Sequence, residues 1–241
     1  MIRGVIFDLG GTLITQGDFE EPNSRALLHW LRAGGHAVPE SFVEMLIAER
    51  RALWAGRKGT EEVTAGQAIG AAVERFGLPT DAAFLADAER AFFTFELESV
   101  RPLPGAGEVL SRLHGQGLRI ALISNASSHY FVVECCRRML FASYLEPIVS
   151  SAAVGRVKPD PRIFQVVLRE WTIPPDEMVM VGDNLAADVT GAQTAGMRSI
   201  LVTMIHAPGA PTSLESISPD AVASDLRGVG KIIERWRGGS P

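Results

Sequence analysis

Val5, Ile6 and Phe7 form an apolar run that stops at Asp8, and Gly10-Gly11 follow almost at once. A short unbroken apolar run closed by glycines predicts a buried strand that ends in a tight turn. Residues 2–7 are therefore read as the first strand. The same pattern predicts strands at 118–123, 147–150, 178–181, 198–202 and 221–223. Between them, apolar positions recur at helical spacing over 106–114, 128–139, 161–171, 186–195 and about 226–237. Strands that are apolar throughout, alternating with helices, predict an α/β fold: a doubly wound parallel sheet covered on both faces.

One stretch departs from that alternation. From 17 to about 100 there is no strand pattern. Leu27, Leu28 and Leu31, then Phe42, Met45, Leu46 and Ala48, mark apolar faces of helices. Four helices are predicted, at 23–33, 40–55, 61–76 and 81–97. Their starts are signalled by Asn23, Pro39, Thr60 and Thr80, and their breaks by Gly34-Gly35, by glycines 56 and 59, and by Gly77-Leu78-Pro79. Trp30 and Trp54 are expected in the core of this block. The domain reading is thus a core made of 1–16 and 100–241, interrupted by a helical insert at 17–99. A loop is expected over 208–219, and fraying from 238 to the end.

Composition narrows the partners. The chain has 241 residues, 46% of them hydrophobic and 21% charged, with a net charge of −5. That is enough for a sizeable core plus an insert. The acidic balance argues against a nucleic-acid partner. No apolar run approaches the ~18 residues that would signal a membrane span. The N-terminus enters a strand without a basic segment or a long apolar stretch, so a cytoplasmic location is expected. Cys135 and Cys136 are neighbours, too close for ordinary disulfide geometry, and read as two small helix residues. Monomer and homodimer both stay open.

Candidate chemistry collects at the strand ends, because ligands of open parallel sheets lie beyond the carboxyl ends of the strands. The first strand ends in Asp8. The run Ile120-Ala121-Leu122-Ile123 ends in Ser124-Asn125, and Val179-Met180-Val181 ends in Gly182-Asp183-Asn184, with Asp188 in the next turn. Lys158 lies in the loop Gly155-Arg156-Val157-Lys158-Pro159 that leads into a helix. One mouth of the sheet should hold acids, a hydroxyl, an amide and an ammonium. These suit phosphoryl transfer. A carboxylate can attack phosphorus, and a hydroxyl, backbone N–H groups and an ammonium can hold the phosphoryl oxygens. Asp8 and Asp183 are the carboxylates a Mg²⁺ ion would use. Taken singly, each residue reads as well as a turn, cap or surface residue. Their joint occurrence at successive strand ends changes that.

The segments VIFDLGGTL, GRVKPDPRIF and VGDNLAADVTGAQTAGM, in this order, resemble the motifs of the haloacid dehalogenase superfamily. The resemblance implies Asp8 as nucleophile and Lys158 as catalytic partner. Phosphate would be bound by Ser124, Asn125, Lys158 and the turn residue Thr12. Mg²⁺ would be bound by Asp8, the Gly10 carbonyl and Asp183, with Asp188 and Asn184 in support. The insert resembles the helical cap of that family. The implied activity is removal of phosphate from a small phosphorylated metabolite through an aspartyl-phosphate on Asp8.

The chain departs from the family at Gly10, where an Asp usually protonates the leaving group and activates water. Glycine keeps the metal-binding carbonyl and loses an acid/base worth about 10²–10⁴-fold. Alternatives therefore stay open: a phosphonate- or halide-type hydrolase of the same superfamily, or a weakened relative that binds a ligand or protein. A halide-type enzyme would carry Tyr in the turn, and a phosphonate-type enzyme would use a cap lysine. Lys58 is the sole lysine of the insert, and with Arg57 it occupies a glycine-flanked loop that faces either substrate or solvent.

Overall fold

The computed structural model describes residues 1–206, 212–213 and 217–238. Strand β1 (Gly4–Phe7) is followed by five helices: α1 (Glu20–Ala33), α2 (Phe42–Gly56), α3 (Ala65–Glu74), α4 (Ala82–Phe92) and α5 (Thr94–Ser99). Then come α6 (Ala106–Gly115), β2 (Arg119–Ser124), α7 (His129–Arg138), β3 (Ile148–Ser150), α8 (Ser151–Val154) and α9 (Pro161–Trp171). The chain continues through β4 (Met178–Gly182), α10 (Thr190–Thr194), β5 (Arg198–Val202), β6 (Ala221–Ala223) and α11 (Leu226–Arg237).

The strands form one parallel sheet in the order β3-β2-β1-β4-β5-β6. Successive side chains point to opposite faces, and both faces are covered. Val5, Phe7, Leu122 and Val181 join a core with Leu110, Val132 and Ile233 of α6, α7 and α11. Ile6, Ala121, Ile123 and Met180 meet Ile163, Phe164 and Val167 of α9 on the other side. Burial on both faces is why these strands read as unbroken apolar runs rather than as alternating ones.

Phe7 is level with Leu122 of β2 and with Val181 of β4. Asp8, Ser124 and Asp183 therefore leave the sheet at one edge. The chain order also reverses there, since β1 lies between β2 and β4, which opens a crevice beyond the strand ends. The chain enters α1–α5 beside the point where it returns. Thr15 N–H donates to the Arg101 carbonyl at 2.9 Å, and Leu103 N–H to that of Leu13 at 2.9 Å.

Several local expectations need correction. Helix α1 begins before Asn23, which does not cap it. Asn23 is buried within the helix, donates to Glu96 Oε2 at 2.7 Å and accepts from the Glu96 N–H at 3.1 Å, so it clamps α1 to α5. Thr60 does not cap the third helix either. Thr64 does, in a reciprocal capping box with Gln67, and α3 starts at Ala65. The expected single helix at 81–97 is two, with a break at Phe93. The helix expected at 186–195 begins as a π turn (Leu185–Val189) before α10. The short α8 and a 3₁₀ turn at Pro175–Glu177 were not expected.

Trp54 is 53% exposed and so is not core, while Trp30 is half-buried with its ring 5.4 Å from Phe84. Burial pushes the Cys135 and Cys136 thiols up to about 12, which leaves them unreactive and structural. Of the loop expected at 208–219, residues 208–211 and 214–216 lie outside the described residues, as do 239–241 of the expected frayed end. No helix is long and apolar enough to cross a membrane among the described residues.

Candidate active site

The crevice is centred on the Lys158 ammonium. Its Nζ donates to Asp8 Oδ1 at 2.6 Å, to Asp188 Oδ1 at 2.7 Å and to the Ile123 carbonyl at 2.8 Å. All three of its hydrogens are thus accepted, and the side chain is buried. The sheet creates this meeting point. Asp8 leaves the end of β1, and its N–H still bonds the Val181 carbonyl at 2.9 Å. Asp188 arrives from the π turn after β4, and Asn184 N–H donates to its second oxygen at 3.0 Å. Gly182 is required for that approach: a Cβ there would overlap the Asp188 carboxylate.

Asp183 completes the acidic group. One carboxylate oxygen each from Asp8, Asp183 and Asp188 lie within 4.8 Å of one another. Thr12, fully buried, donates to Asp183 Oδ1 at 3.4 Å. Expected among the phosphate-binding residues, Thr12 lines neither the crevice nor the cavity beside it and turns its hydroxyl to this carboxylate. His206 Nε2 lies 2.8 Å from the Asp183 carbonyl. Gly11 has φ +78°, and a Cβ on it would lie 2.7 Å from Asp183 Oδ2. The turn therefore demands glycine at 11 for conformation and for space.

Three carboxylates face one ammonium, and the titration directions follow from that. Burial pushes the Asp8 carboxyl up to about 7, against the opposing pull of Lys158. Asp183 is also pushed up, by burial first and then by the Asp188 charge. For Lys158 burial works downward, but Asp188 and Asp8 outweigh it and hold the ammonium above its ordinary range. Burial thus pushes Asp8 and Asp183 up, with the neighbouring carboxylate Asp188 adding to it, while the two carboxylates bonded to Lys158 hold the base up. An all-oxygen donor set with uncompensated negative charge fits a hard divalent cation. Both Asp188 oxygens are already engaged, which leaves Asp8 and Asp183 as the available carboxylates.

The remaining expected residues divide into two kinds. Ser124 is buried at the end of β2 and faces the crevice. Asn125 lines both the crevice and the cavity beside it and also braces the lysine's loop. It accepts from the Lys158 N–H at 2.7 Å and donates to the Lys158 carbonyl at 3.2 Å, so it fixes the loop that carries the lysine. Asn184 caps the following turn by accepting from Ala187 N–H at 2.9 Å.

A cavity of about 570 Å³ rises from these groups toward the inserted helices. Phe19, Arg50, Phe93, Glu96 and Phe131 line its upper part. None of these stands out as a site residue in the sequence, because Arg50, Phe93, Glu96 and Phe131 read locally as ordinary helical positions and Phe19 as part of the connection before the first helix. Arg50 has no hydrogen-bond partner among the described residues, and its guanidinium lies 4.9 Å over the Phe92 ring. Burial lowers its basicity and raises the Glu96 carboxyl. A smaller cavity of about 340 Å³ adjoins Lys158 from the side of Trp54 and Arg57, which are stacked at 3.3 Å. Lys58 is exposed and lines neither cavity.

A family model described as haloacid dehalogenase-like hydrolase matches residues 2–196. The chain is 31% identical to a phosphoserine phosphatase of Thermus thermophilus, over 94% of this chain and 90% of that protein. It is 30% identical to a phosphoglycolate phosphatase of Pseudomonas fluorescens, over 93% of this chain and 77% of that one. Among solved structures it superposes on a 2-haloacid dehalogenase from Pseudomonas syringae pv. Tomato with a TM-score of 0.74. The identity there is 28%, covering 98% of this chain and 100% of that chain.

Proposed function

This chain belongs to the haloacid dehalogenase-like hydrolases, and from that premise we propose that it is a Mg²⁺-dependent phosphatase acting on a small phosphorylated metabolite. The observation that carries this reading is the Lys158 ammonium held between Asp8 and Asp188 with the Asp183 carboxylate beside it. Asp8 is the nucleophile: it attacks phosphorus and becomes an aspartyl-phosphate. Lys158 and the Ser124 hydroxyl bind phosphoryl oxygens and offset the charge that develops on them. Asp188 keeps the ammonium aimed at Asp8, and Asn125 fixes the loop behind it.

Asp8, Asp183 and the Gly10 carbonyl would hold Mg²⁺, which when bound neutralises charge between the nucleophile and the phosphoryl group. Replacing Asp183 by Asn should abolish Mg²⁺ binding in calorimetry, with the fold retained. Unchanged affinity would show that Asp183 is not a ligand. The decisive assay is a screen of phosphorylated metabolites with Mg²⁺, run beside a 2-haloacid substrate.

The halide-type reading has two observations in its favour, the missing acid at position 10 and the likeness to the Pseudomonas syringae 2-haloacid dehalogenase. The metal-type grouping of Asp183 with Asp8 opposes it, because halide loss requires neither a cation nor a proton. A phosphonate-type Schiff base has no support, since Lys58 is exposed and lines neither cavity.

The helices α1–α5 would act as a lid that excludes water during transfer. Residues 15–18 and 99–103 are the hinges, where the two crossings of the chain run side by side. A third attachment bears on closure. Thr60 donates to Asp160 Oδ2 at 2.5 Å, Ser151 hydrogen-bonds Glu62, and Ala65 N–H donates to the Ser127 carbonyl at 2.8 Å. Opening has to break these contacts. Small-angle scattering is expected to show a smaller radius with a phosphate analogue than without one. An unchanged radius would mean that the lid stays latched.

A further inference from the structure

We propose that Gln16 takes over part of the role that Gly10 cannot perform, by orienting the water that hydrolyses the aspartyl-phosphate. The proposal rests on the phosphatase reading above. Gln16 Nε2 donates to the Gly10 carbonyl at 2.9 Å. A carbonyl can only accept, so the amide nitrogen must face it, and Gln16 Oε1 is turned the other way. Among the described residues nothing donates to that oxygen. Gln16 lines the cavity above Asp8. It also packs beside the place where a side chain on Gly10 would begin: a Cβ built there lies 3.5 Å from Gln16 Nε2 and 3.6 Å from its Cγ. The space vacated by the missing acid is thus bordered by an amide anchored to that same residue.

An amide cannot take a proton near neutrality, but it can accept a hydrogen bond from water and so aim the water's lone pair. A glutamine orients the attacking water in this way in nucleotide hydrolases. Here the water oxygen bonds to phosphorus as the bond from phosphorus to the Asp8 oxygen breaks. One water proton passes to a phosphoryl oxygen. The products are a free Asp8 carboxylate and dihydrogen phosphate. No base is consumed, so the step balances without an acid at position 10. Gln16 is a positioning residue in this scheme and acts only on the second half-reaction.

The test separates the two halves. Enzyme labelled with acetyl [³²P]phosphate is chased, and the decay of label on Asp8 is followed in wild type, Gln16→Ala and Gln16→Asn, each with Gly10 or with Gly10→Asp. Loss of decay rate by roughly 10- to 100-fold is expected for Gln16→Ala, the size of a misplaced reactant. The rate of label uptake should stay within about threefold. Gln16→Asn keeps the amide but lacks its reach, and should resemble Gln16→Ala. In the Gly10→Asp background the same substitutions should cost less than about threefold, because the introduced acid then handles the water. Equal decay in wild type and Gln16→Ala would overturn the proposal. So would equal slowing of uptake and decay, which would make Gln16 a brace for the turn. A wild type that takes up no label from acetyl phosphate, and turns over no phosphate ester, would overturn the phosphatase reading and this proposal with it.

Discussion

Asp8→Asn is expected to lower phosphatase turnover by about 10⁴-fold or more, while raising the melting temperature of the metal-free protein at pH 8. The first effect follows from removing the nucleophile, since losing the attacking group of a covalent mechanism costs on this order. The second follows from the burial of Asp8, which the neighbouring Lys158 only partly offsets. Burial raises the Asp8 carboxyl from its ordinary 3.8 to about 7 in the folded protein. Below about pH 4 Asp8 is protonated in both folded and unfolded chains and contributes nothing. Between about pH 4 and 7 the unfolded chain ionises while the folded one resists, so this group subtracts stability as pH rises, and the full cost persists above pH 7.

Asparagine removes that cost, and Lys158 keeps its partner Asp188 at 2.7 Å. The melting difference between variant and wild type should therefore be largest at pH 8 and vanish near pH 4. Mg²⁺ should narrow it at pH 8 by stabilising the wild type alone. Thermal melts at several pH values, in chelator and in Mg²⁺, make the comparison. A variant that melts below wild type in chelator at pH 8 would mean that the Lys158–Asp8 pair stabilises the fold outright. Such a site is built at the expense of stability, a common exchange in active sites.

The second large effect is a gain. Gly10→Asp should raise turnover of alkyl and sugar phosphates by up to about 10²–10⁴-fold, the contribution of a placed general acid and base. Aryl and acyl phosphates should change far less, because their leaving groups depart without a proton. Sequence alone left open whether Gly10 needs the left-handed conformation. The structure places positive φ at Gly11 and not at Gly10. A Cβ at position 10 meets only Gln16, at ordinary contact distance, so Asp fits if that exposed glutamine swings aside. Measurement of kcat for alkyl and aryl phosphates in both proteins, with the variant's fold confirmed, decides. Equal leaving-group sensitivity would show that the proton is supplied elsewhere in the wild type, or that the natural substrate is not a phosphate ester.

The contrast between Gly10 and Gly11 illustrates how far a sequence can be read. The run Gly10-Gly11 announced a turn, since two glycines after an apolar strand leave few other options. Which of the two carries the left-handed φ depends on what surrounds them: Asp183 and Ile205, distant in sequence, crowd position 11 together with the nearby Gln16. Thr12 and Asn125 make the same point. Both lie at the strand ends where site residues were expected. One is spent on the Asp183 carboxylate and the other on the Lys158 backbone, a division that no local pattern encodes.

By itself the sequence determined the parallel sheet, the helical block between β1 and α6, and the delivery of Asp8, Ser124, Lys158, Asp183 and Asp188 to one edge. These follow from apolar periodicity and turn chemistry, which act over a few residues and are repeated often enough to reinforce one another. Tertiary structure alone decided which polar groups pair across the chain. Asn23 binds Glu96, Thr60 binds Asp160, and Gln16 lies over Gly10. Each such bond contributes only about 1 kcal/mol and follows from the register of β1 with β2 and β4 and from the seating of the helices. Those are set by burial of the whole apolar surface, so the pairing partners of a polar side chain become readable only once the core has placed them.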